Sequence, residues 1–433
     1  MRLSVDYASD RCGTTDLAWG QRAVWGAIHD VGPDNSPYFN VPRLLRVPRA
    51  GGPRHPMAAA SALAEVMARH DALRSRVRLG EAGPYQEVTA SGTLSVETVE
   101  AARGEVDEAA DELLTRLAGR SFGDDEPPLR AGLVTEDGAV THIAFAISHV
   151  VADWRAADVV VRDLRTALLR GAITHRPSWQ LLDLVREEKT ASARSDRAVT
   201  MWEDLLRSVP SATFPDEVGT AASPRFARAV LASPALNHAA HVLARRTGVS
   251  TATVLLVAVT MLLRDLTGHE ACAITPIVHN RFNGRTQDLV TSLDQLGLFT
   301  LGPVGGLAET LVHAYPAVLA SYRHARYNSL DLQAMIDRVS ADRGVSMFPS
   351  CCFNDLRPGE DPGTPARGDG ESELDWLPGG DQRSCAFCVD LMRWKGTLGV
   401  ALSADTARLP AGEMESLLLR LESVVADAAY ALS

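Results

Sequence analysis

The chain has 433 residues, of which 46% are hydrophobic and only 6% are aromatic. This length exceeds the size at which one hydrophobic core usually stops growing, so we expect two lobes. The 43 basic and 54 acidic residues give a net charge of −11 and form no long run of one sign. Such a balance argues against a nucleic-acid-binding protein, which normally has a basic face, and against docking on an anionic membrane.

The N-terminal residues carry no targeting pattern. Residues 1–13 are polar and include acids, which is unlike a signal peptide. No apolar run reaches the roughly 18 residues that a membrane-spanning helix needs. The sequence therefore predicts a cytoplasmic protein that is not in the membrane.

The first half of the chain alternates predicted helices and strands. Apolar residues at helical spacing predict a helix over 58–74, an apolar run predicts a buried strand over 139–147, and helical spacing returns over 156–169. Residues 148–155 form a short turn between that strand and that helix. A strand, turn and helix of this kind often present side chains to a cleft.

The second half continues the alternation. Residues 208–224 are rich in Ser, Pro, Thr and Gly and predict a loop. Beyond them we predict a helix ending near Gly248, a helix over 251–267, a strand over 271–278 and a last helix over 412–431. The Pro-, Gly- and Asp-rich stretch 357–370 predicts an exposed crossover. We therefore predict a mixed α/β protein with an N-terminal lobe over 1–180 and a C-terminal lobe over 181–433.

His149 and Asp153 form the only His-x-x-x-Asp pattern in the chain. With 12 histidines, about one such match is expected by chance, so the pattern alone has two interpretations. In the structural one, Asp153 caps the next helix and His149 is a satisfied turn histidine. In the functional one, the imidazole transfers a proton.

Seven segments resemble, in the correct order, the core motifs of the condensation domains of nonribosomal peptide synthetases. They extend over nearly the whole chain, and the family has His-His-x-x-x-Asp-Gly where this chain has residues 148–154. The segments are 17–25 (LAWGQRAVW), 69–74 (RHDALR), 128–130 (PLR), 148–154 (SHVVADW), 280–282 (NRF), 296–299 (LGLF) and 353–357 (FNDLR).

This resemblance implies two lobes like those of chloramphenicol acetyltransferase, arranged in a V with a central tunnel. His149 corresponds to the histidine to which the family assigns catalysis, either as a proton acceptor or as a group that positions the nucleophile. Asp153 corresponds to the structural aspartate that pairs with an arginine. We expect that partner to be Arg281, with Arg285 as the second choice, because a bidentate pair fixes geometry well.

Two positions depart from the family motif. Ser148 replaces the first histidine, and Trp154 replaces the glycine. An indole at this position either packs beneath the next helix or narrows the tunnel. Ser148, Trp154 and Asn354 are therefore our candidates for residues that line the tunnel.

Cys385 and Cys388 form a CxxC pattern within a chain of only six cysteines. A zinc or redox site would need a second ligand pair or a motif that opens a helix. Residues 385–390 instead predict a strand in which small apolar cysteines pack. We therefore predict no metal site.

The resemblance implies a free-standing condensation enzyme in nonribosomal peptide or natural-product biosynthesis. It would join an acyl or aminoacyl thioester, held on the phosphopantetheine of a carrier protein in trans, to a small-molecule or second carrier-bound amine or hydroxyl. The product would be an amide or an ester, and no cofactor would be bound. An acyl-CoA-dependent acyltransferase of the same fold remains open. So does a non-catalytic recruitment module, which the loss of the first histidine and of the glycine favours.

Overall fold

The computed structural model describes residues 1–48, 52–174, 177, 179–210, 214, 217–302, 305–357, 370–381, 383 and 385–432. These residues form 16 strands, 11 α-helices and two short 3₁₀ helices. The mixed α/β class predicted from the sequence is therefore confirmed. Nearly all of the predicted crossover at 357–370 lies outside the described residues.

The chain divides into two compact units, and neither is one continuous stretch of sequence. The first unit comprises residues 1–192 and 279–294, and the second comprises 193–278 and 295–433. This division differs from the predicted boundary at residue 180 in two places, for physical reasons. Leu181 and Leu184 are buried in the core of the first unit, and so are Leu289 and Leu293.

The first unit contains a five-stranded sheet and a three-stranded sheet. The five-stranded sheet has the order β1-β6-β7-β8-β3, and the small sheet has the order β2-β5-β4. Its strands are β1 (Arg2–Ala8), β2 (Gly13–Asp16), β3 (Val41–Arg46), β4 (Ser75–Gly80), β5 (Gly83–Val88), β6 (Ser91–Glu100), β7 (Leu129–Glu136) and β8 (Ala139–Ile147). Its helices are α1 (Trp19–Val31), α2 (Pro56–Arg69), α3 (Val106–Ala118), α4 (Trp154–Arg170) and α5 (Leu181–Glu188).

Strand β8 is buried on both of its faces, which explains why its sequence is continuously apolar. Ile143 and Phe145 belong to the core cluster that includes α2 and α4. Ala144 and Ala146 face the other way and pack with α3. The strand is thereby fixed between two layers of helices, and it delivers the turn at 148–153 from a rigid support.

The second unit is built on one larger sheet. Its order is β11-β10-β13-β15-β16-β9-β14, and β12 also pairs with β10. Its strands are β9 (Phe226–Ala232), β10 (Cys272–Val278), β11 (Gln295–Leu296), β12 (Phe299–Leu301), β13 (Cys351–Asp355), β14 (Glu373–Gly380), β15 (Phe387–Trp394) and β16 (Thr397–Asp405). Its helices are α6 (Ser192–Ser208), α7 (Pro234–Thr247), α8 (Thr251–Thr267), α9 (Leu307–Arg323), α10 (Ser329–Arg343) and α11 (Ala411–Tyr430).

Most predicted elements are confirmed, and their ends have local causes. The helix predicted over 251–267 is α8, which the Ser250 side chain caps at its start and Gly248 separates from α7 in a left-handed conformation with φ 74°. The helix predicted over 58–74 ends earlier, at Arg69, and a 3₁₀ turn follows over Asp71–Arg74. Tertiary contacts override helical spacing here, because the buried Asp71 amide donates to Gln180 Oε1 at 2.9 Å.

The cysteine-containing strand begins later than the predicted 385–390. Strand β15 starts at Phe387, so Cys388 lies in the strand and Cys385 precedes it. Cys385 forms a disulfide with Cys352 of β13, so the expectation that it merely packs is wrong. The spacing of the cysteines along the sequence could not reveal this pair, because β13 and β15 become neighbours only in the folded sheet.

No single helix within the described parts of the chain has the length and apolar character needed to cross a bilayer. The pair α7 and α8 meets that test only when the two helices are taken together, and they are bent by 105° at their junction.

Candidate active site around His149

The turn between β8 and α4 holds His149 in a compact arrangement of backbone hydrogen bonds. The carbonyl of Ser148 accepts from the amides of Val151 at 3.0 Å and Ala152 at 3.2 Å. The Ser148 amide in turn donates to the carbonyl of Pro128 at 2.9 Å. These bonds fix the backbone of residues 148–152, and this backbone orients His149.

Asp153 ends the turn and begins helix α4. Its Oδ1 accepts a hydrogen bond from the Ala156 amide at 2.7 Å, which caps the first turn of the helix. Its Oδ2 accepts from Arg281 Nη1 at 2.6 Å and from the Leu293 amide at 2.8 Å. The Asp153 side chain is fully buried. Asp153 therefore has both predicted roles, since Oδ1 caps the helix and Oδ2 pairs with the arginine.

Arg281 organises the segment 279–294 as well as binding Asp153. Its Nη2 donates to the carbonyls of Leu289 at 3.2 Å and Thr291 at 2.9 Å, and its Nη1 also donates to the carbonyl of His279. The guanidinium thus holds the backbone of residues 279–291 in a loop. Arg285, the second choice for the partner of Asp153, is instead exposed to solvent.

The contacts of His149 assign its tautomer. The ring Nδ1 lies 3.2 Å from the carbonyl oxygen of Ala152 and 3.4 Å from Ser292 Oγ. Because a carbonyl only accepts, the contact with Ala152 places the proton on Nδ1 and leaves the lone pair on Nε2. The Ser292 hydroxyl also donates to the carbonyl of His149, which ties the turn to the segment 279–294.

The environment of His149 favours a neutral ring. Burial lowers the pKa of His149, and the negative charge of Asp153 opposes this shift only in part. Within the described residues, the hydrogen bonds of the ring all involve Nδ1. A neutral imidazole with an unprotonated Nε2 is the form that can accept a proton from an attacking amine or hydroxyl.

A second carboxyl group, that of Asp294, lies against Asp153. Burial and the negative charge of Asp153 raise the pKa of Asp294 well above its usual range, although Arg281 acts in the opposite direction. Burial and the neighbouring negative charge thus both favour the protonated form of Asp294. The guanidinium of Arg281 is bonded to Asp153 and also lowers the pKa of Asp294 in part.

The two positions that depart from the family motif have ordinary structural surroundings. Trp154 is the first residue of α4, and its ring lies beneath the guanidinium of Arg43, 3.9 Å from the carbon to the ring centre. Arg43 also donates to the carbonyl of Trp154 at 2.6 Å. The indole packs against the core of the first unit, in agreement with the packing interpretation. Ser148 is only partly buried.

Asn354, the third candidate tunnel residue, lies in the second unit on β13. It is paired in the sheet with Asp390 of β15, and its side chain bonds to that carboxyl group. Asn354 thus has a structural partner, and its placement in a tunnel remains a prediction.

Gly20, Ser292 and Asp294 are parts of the site that sequence reasoning missed. A Cβ atom on Gly20 of α1 would lie 2.5 Å from the carbonyl oxygen of Ser292, closer than real contacts allow. This glycine therefore permits α1 to press directly on the backbone that carries Ser292. Gly20 lies inside the motif at 17–25, which was the available signal, whereas nothing in the sequence singles out Ser292 or Asp294.

A model of the condensation domain family matches residues 35–300, which is more than half of the 433 residues. The chain therefore belongs to the condensation domain family, as the seven ordered motifs predicted.

Three proteins illustrate what this chain is similar to. A probable non-canonical nonribosomal peptide synthetase, CymA of Salinispora arenicola, is 29% identical over 360 residues, which cover 77% of this chain and 4% of the synthetase. The chain thus spans a small part of that relative. The SgcC5 protein of Streptomyces globisporus superposes with a TM-score of 0.73 and 19% identity, covering 96% of this chain and 98% of SgcC5. The X-domain in complex with OxyB from teicoplanin biosynthesis gives a TM-score of 0.72 and 16% identity, with 98% and 95% covered. These structures show that the fold is that of condensation domains.

We predict that Gly20→Ala displaces Ser292 and impairs the site. The added methyl group must push away a backbone carbonyl, which should cost about 1–3 kcal/mol of unfolding free energy. A shift of the backbone next to His149 should also lower kcat/KM on the order of 10²-fold. Gly26→Ala is the matched control, because it lies on the same helix with no atom within 4 Å of the new Cβ. Equal behaviour of the two variants in thermal unfolding and in turnover would contradict the close approach.

We predict that Asp294→Asn becomes more stable relative to wild type as the pH rises. The pKa of Asp294 is raised in the folded protein. Its favourable contribution to the free energy of unfolding is therefore complete below the unfolded pKa of about 3.9 and is lost as the pH rises through the folded pKa. An asparagine does not titrate and therefore avoids this loss. Thermal unfolding from about pH 4 to pH 8 should show a difference that grows with pH. Asp288→Asn, an exposed carboxylate in the same segment, is the control, and a pH-independent difference for Asp294→Asn would rule out the raised pKa.

Proposed function

We propose that this chain catalyses a condensation between an acyl or aminoacyl thioester and an amine or hydroxyl acceptor. The observation that carries the proposal is the contact of His149 Nδ1 with the Ala152 carbonyl at 3.2 Å. Because the carbonyl only accepts, the proton is on Nδ1 and the lone pair on Nε2. Nε2 accepts the proton of the nucleophile as the nucleophile attacks the thioester carbonyl. The carbon–sulfur bond then breaks, and the proton passes to the departing thiolate, so that an amide or an ester and a free thiol result.

The other residues of the site position His149 and take no part in proton transfer. Asp153 Oδ1 caps the helix, and Oδ2 accepts from Arg281 and the Leu293 amide. Neither oxygen is therefore available to a substrate. Ser292 ties the segment 279–294 to the His149 carbonyl. These contacts hold the imidazole in one orientation, and positioning alone can lower a reaction barrier substantially.

We propose that the donor is a thioester on the phosphopantetheine of a carrier protein that acts in trans. Membership of the condensation domain family and the similarity to a nonribosomal peptide synthetase support this choice. For the acceptor we keep both amines and alcohols, because the structure of SgcC5 contains an aryl-substituted ethanediol. That ligand makes hydroxyl acceptors worth testing beside amines. No bound cofactor is needed for this chemistry, since the thioester supplies the activated acyl group.

Recruitment of another protein is the second candidate function. The X-domain, which shares this fold, has been observed in complex with OxyB. In this chain Ser148 and Trp154 replace two residues of the family motif, which favours a module that binds without catalysing. The retained His149 and Asp153, with their ordered contacts, favour catalysis.

We predict that His149→Ala lowers product formation by about 10²–10⁴-fold, the contribution that a positioned general base usually makes. The assay is intact-mass detection of product, with carrier proteins loaded from a panel of acyl groups and a mixed pool of amines and alcohols. The matched control is His313→Ala, which removes an exposed imidazole from the second unit.

The outcomes of this assay separate the functions. Product that disappears only in His149→Ala supports the condensation site, and equal product from both variants removes His149 from its role. Product from acyl-CoA donors in place of loaded carriers would identify an acyl-CoA-dependent enzyme. Carrier binding without product from wild type across the panel would favour recruitment.

We predict that the acid limb of the pH profile of kcat/KM has its midpoint below about 6.5, the ordinary value of histidine. Burial lowers the pKa of His149, so the ring stays neutral and active to a lower pH than a free imidazole. Activity should fall as the pH decreases through that lowered value, because the protonated ring cannot accept a proton. Steady-state kinetics at saturating and limiting acceptor would measure the limb. A midpoint above the ordinary value would contradict the lowered pKa of His149.

A further inference from the structure

Three cysteines of the second unit lie together at the junction of two parallel strands. Cys352 of β13 is directly paired with Cys388 of β15 in the sheet register. Cys385 precedes β15 and forms the disulfide with Cys352. The three Sγ atoms all lie within 4.8 Å of one another. The CxxC of the sequence has thus gained a third sulfur from a strand that is distant in the chain.

The spacing of these sulfurs suits a thiolate metal site. Zinc–sulfur bonds of about 2.3 Å in tetrahedral geometry place neighbouring sulfurs roughly 3.8 Å apart. Sulfurs that already lie within 4.8 Å can reach that spacing by small side-chain movements. Strand register holds Cys352 and Cys388 opposite each other in either redox state, since backbone pairing extends over Cys351–Asp355 and Phe387–Leu391.

The three cysteines of the cluster differ in their exposure. Cys352 and Cys385 are buried, whereas Cys388 is only partly buried. The Thr275 hydroxyl lies 3.7 Å from Cys352 Sγ and adds a polar atom beside it. Cys351 is buried, and side chains alternate along a strand, so it faces the opposite side of the sheet from Cys352.

We propose that Cys352, Cys385 and Cys388, once the disulfide is reduced, bind one zinc-class divalent cation as three thiolates, with water at the fourth position. The disulfide and the bound metal are then alternative states of the same cluster. In a reducing compartment, where disulfides are rare, the three thiols are the expected state. The site lies in the second unit and does not depend on the function proposed for His149.

The two steps balance separately. A dithiol reductant gives two electrons and two protons to the Cys352–Cys385 disulfide and itself becomes a disulfide, which leaves two new thiols. The divalent cation then replaces the protons of three thiols, so three protons are released and no electron moves. Metal binding should therefore strengthen with rising pH, as thiolate sites generally do.

The experiment uses the full chain and cobalt(II) as the probe, because tetrahedral thiolate sites give cobalt intense sulfur-to-metal charge-transfer absorption. Protein reduced with a dithiol, and then freed of it under nitrogen, is titrated with cobalt. Reduced wild type should bind one equivalent, and zinc should displace it. The oxidised protein should show no such absorption. Cys388→Ala should bind at least about tenfold more weakly, because even indirect changes at metal sites cost that much.

Cys351→Ala is the matched control, since it removes the neighbouring cysteine of the same strand, and it should bind like wild type. The proposal is wrong if reduced wild type gives no charge-transfer absorption, if Cys388→Ala binds as tightly as wild type, or if Cys351→Ala loses binding equally. If circular dichroism shows that Cys388→Ala does not fold, cobalt binding by oxidised wild type is compared with binding by reduced wild type. Equal cobalt binding by the oxidised and the reduced protein would then overturn the proposal.

Discussion

The carboxylate of Asp153 is the interaction on which the rest of the site depends. One oxygen caps α4 and the other receives Arg281 and the Leu293 amide, so three pieces of the chain meet at a single buried group. A buried ion pair is not a strong source of net stability, because removing both charges from water offsets much of their attraction. Its value here is geometric, since it sets the turn whose backbone orients His149. Asp294 lies against the same carboxylate, and its raised pKa favours a form that adds no second negative charge.

The contacts around His149 also explain how its imidazole could accept a proton, as proposed. The Ala152 carbonyl and the Ser292 hydroxyl contact Nδ1, and the same hydroxyl donates to the His149 carbonyl. Within the described residues, no carboxylate is hydrogen-bonded to the ring. Burial lowers the pKa of the ring, and the charge of Asp153 and the hydrogen bond to the Ala152 carbonyl offset that shift only in part. The ring is therefore a weak base that is neutral near physiological pH. This suits a reaction in which the nucleophile must lose a proton while the thiolate leaves.

Much of this fold could be predicted from the sequence, and the remainder depends on contacts that join distant residues. Strand β8 and helices α4 and α8 were predictable because their apolar residues repeat with the period of the element. The motifs also indicated His149, Asp153 and Arg281 as neighbours. Ser292, Asp294 and the Cys352–Cys385 bond were not predictable, because their roles arise only where separate segments approach. The early end of α2 has the same origin, since Gln180 binds the amide of Asp71.

The division of the first unit has a consequence for how the protein folds. Arg281 follows Asp153 by 128 positions in the chain, and the stretch 193–278 between the two segments of the first unit belongs to the second. During synthesis, residues 1–192 are made before Arg281, the arginine that is hydrogen-bonded to Asp153. The Asp153–Arg281 ion pair can form only after β9, β10 and the helices between them have been made. Residues of the segment 279–294 therefore complete the site, although His149 and Asp153 are translated well before them.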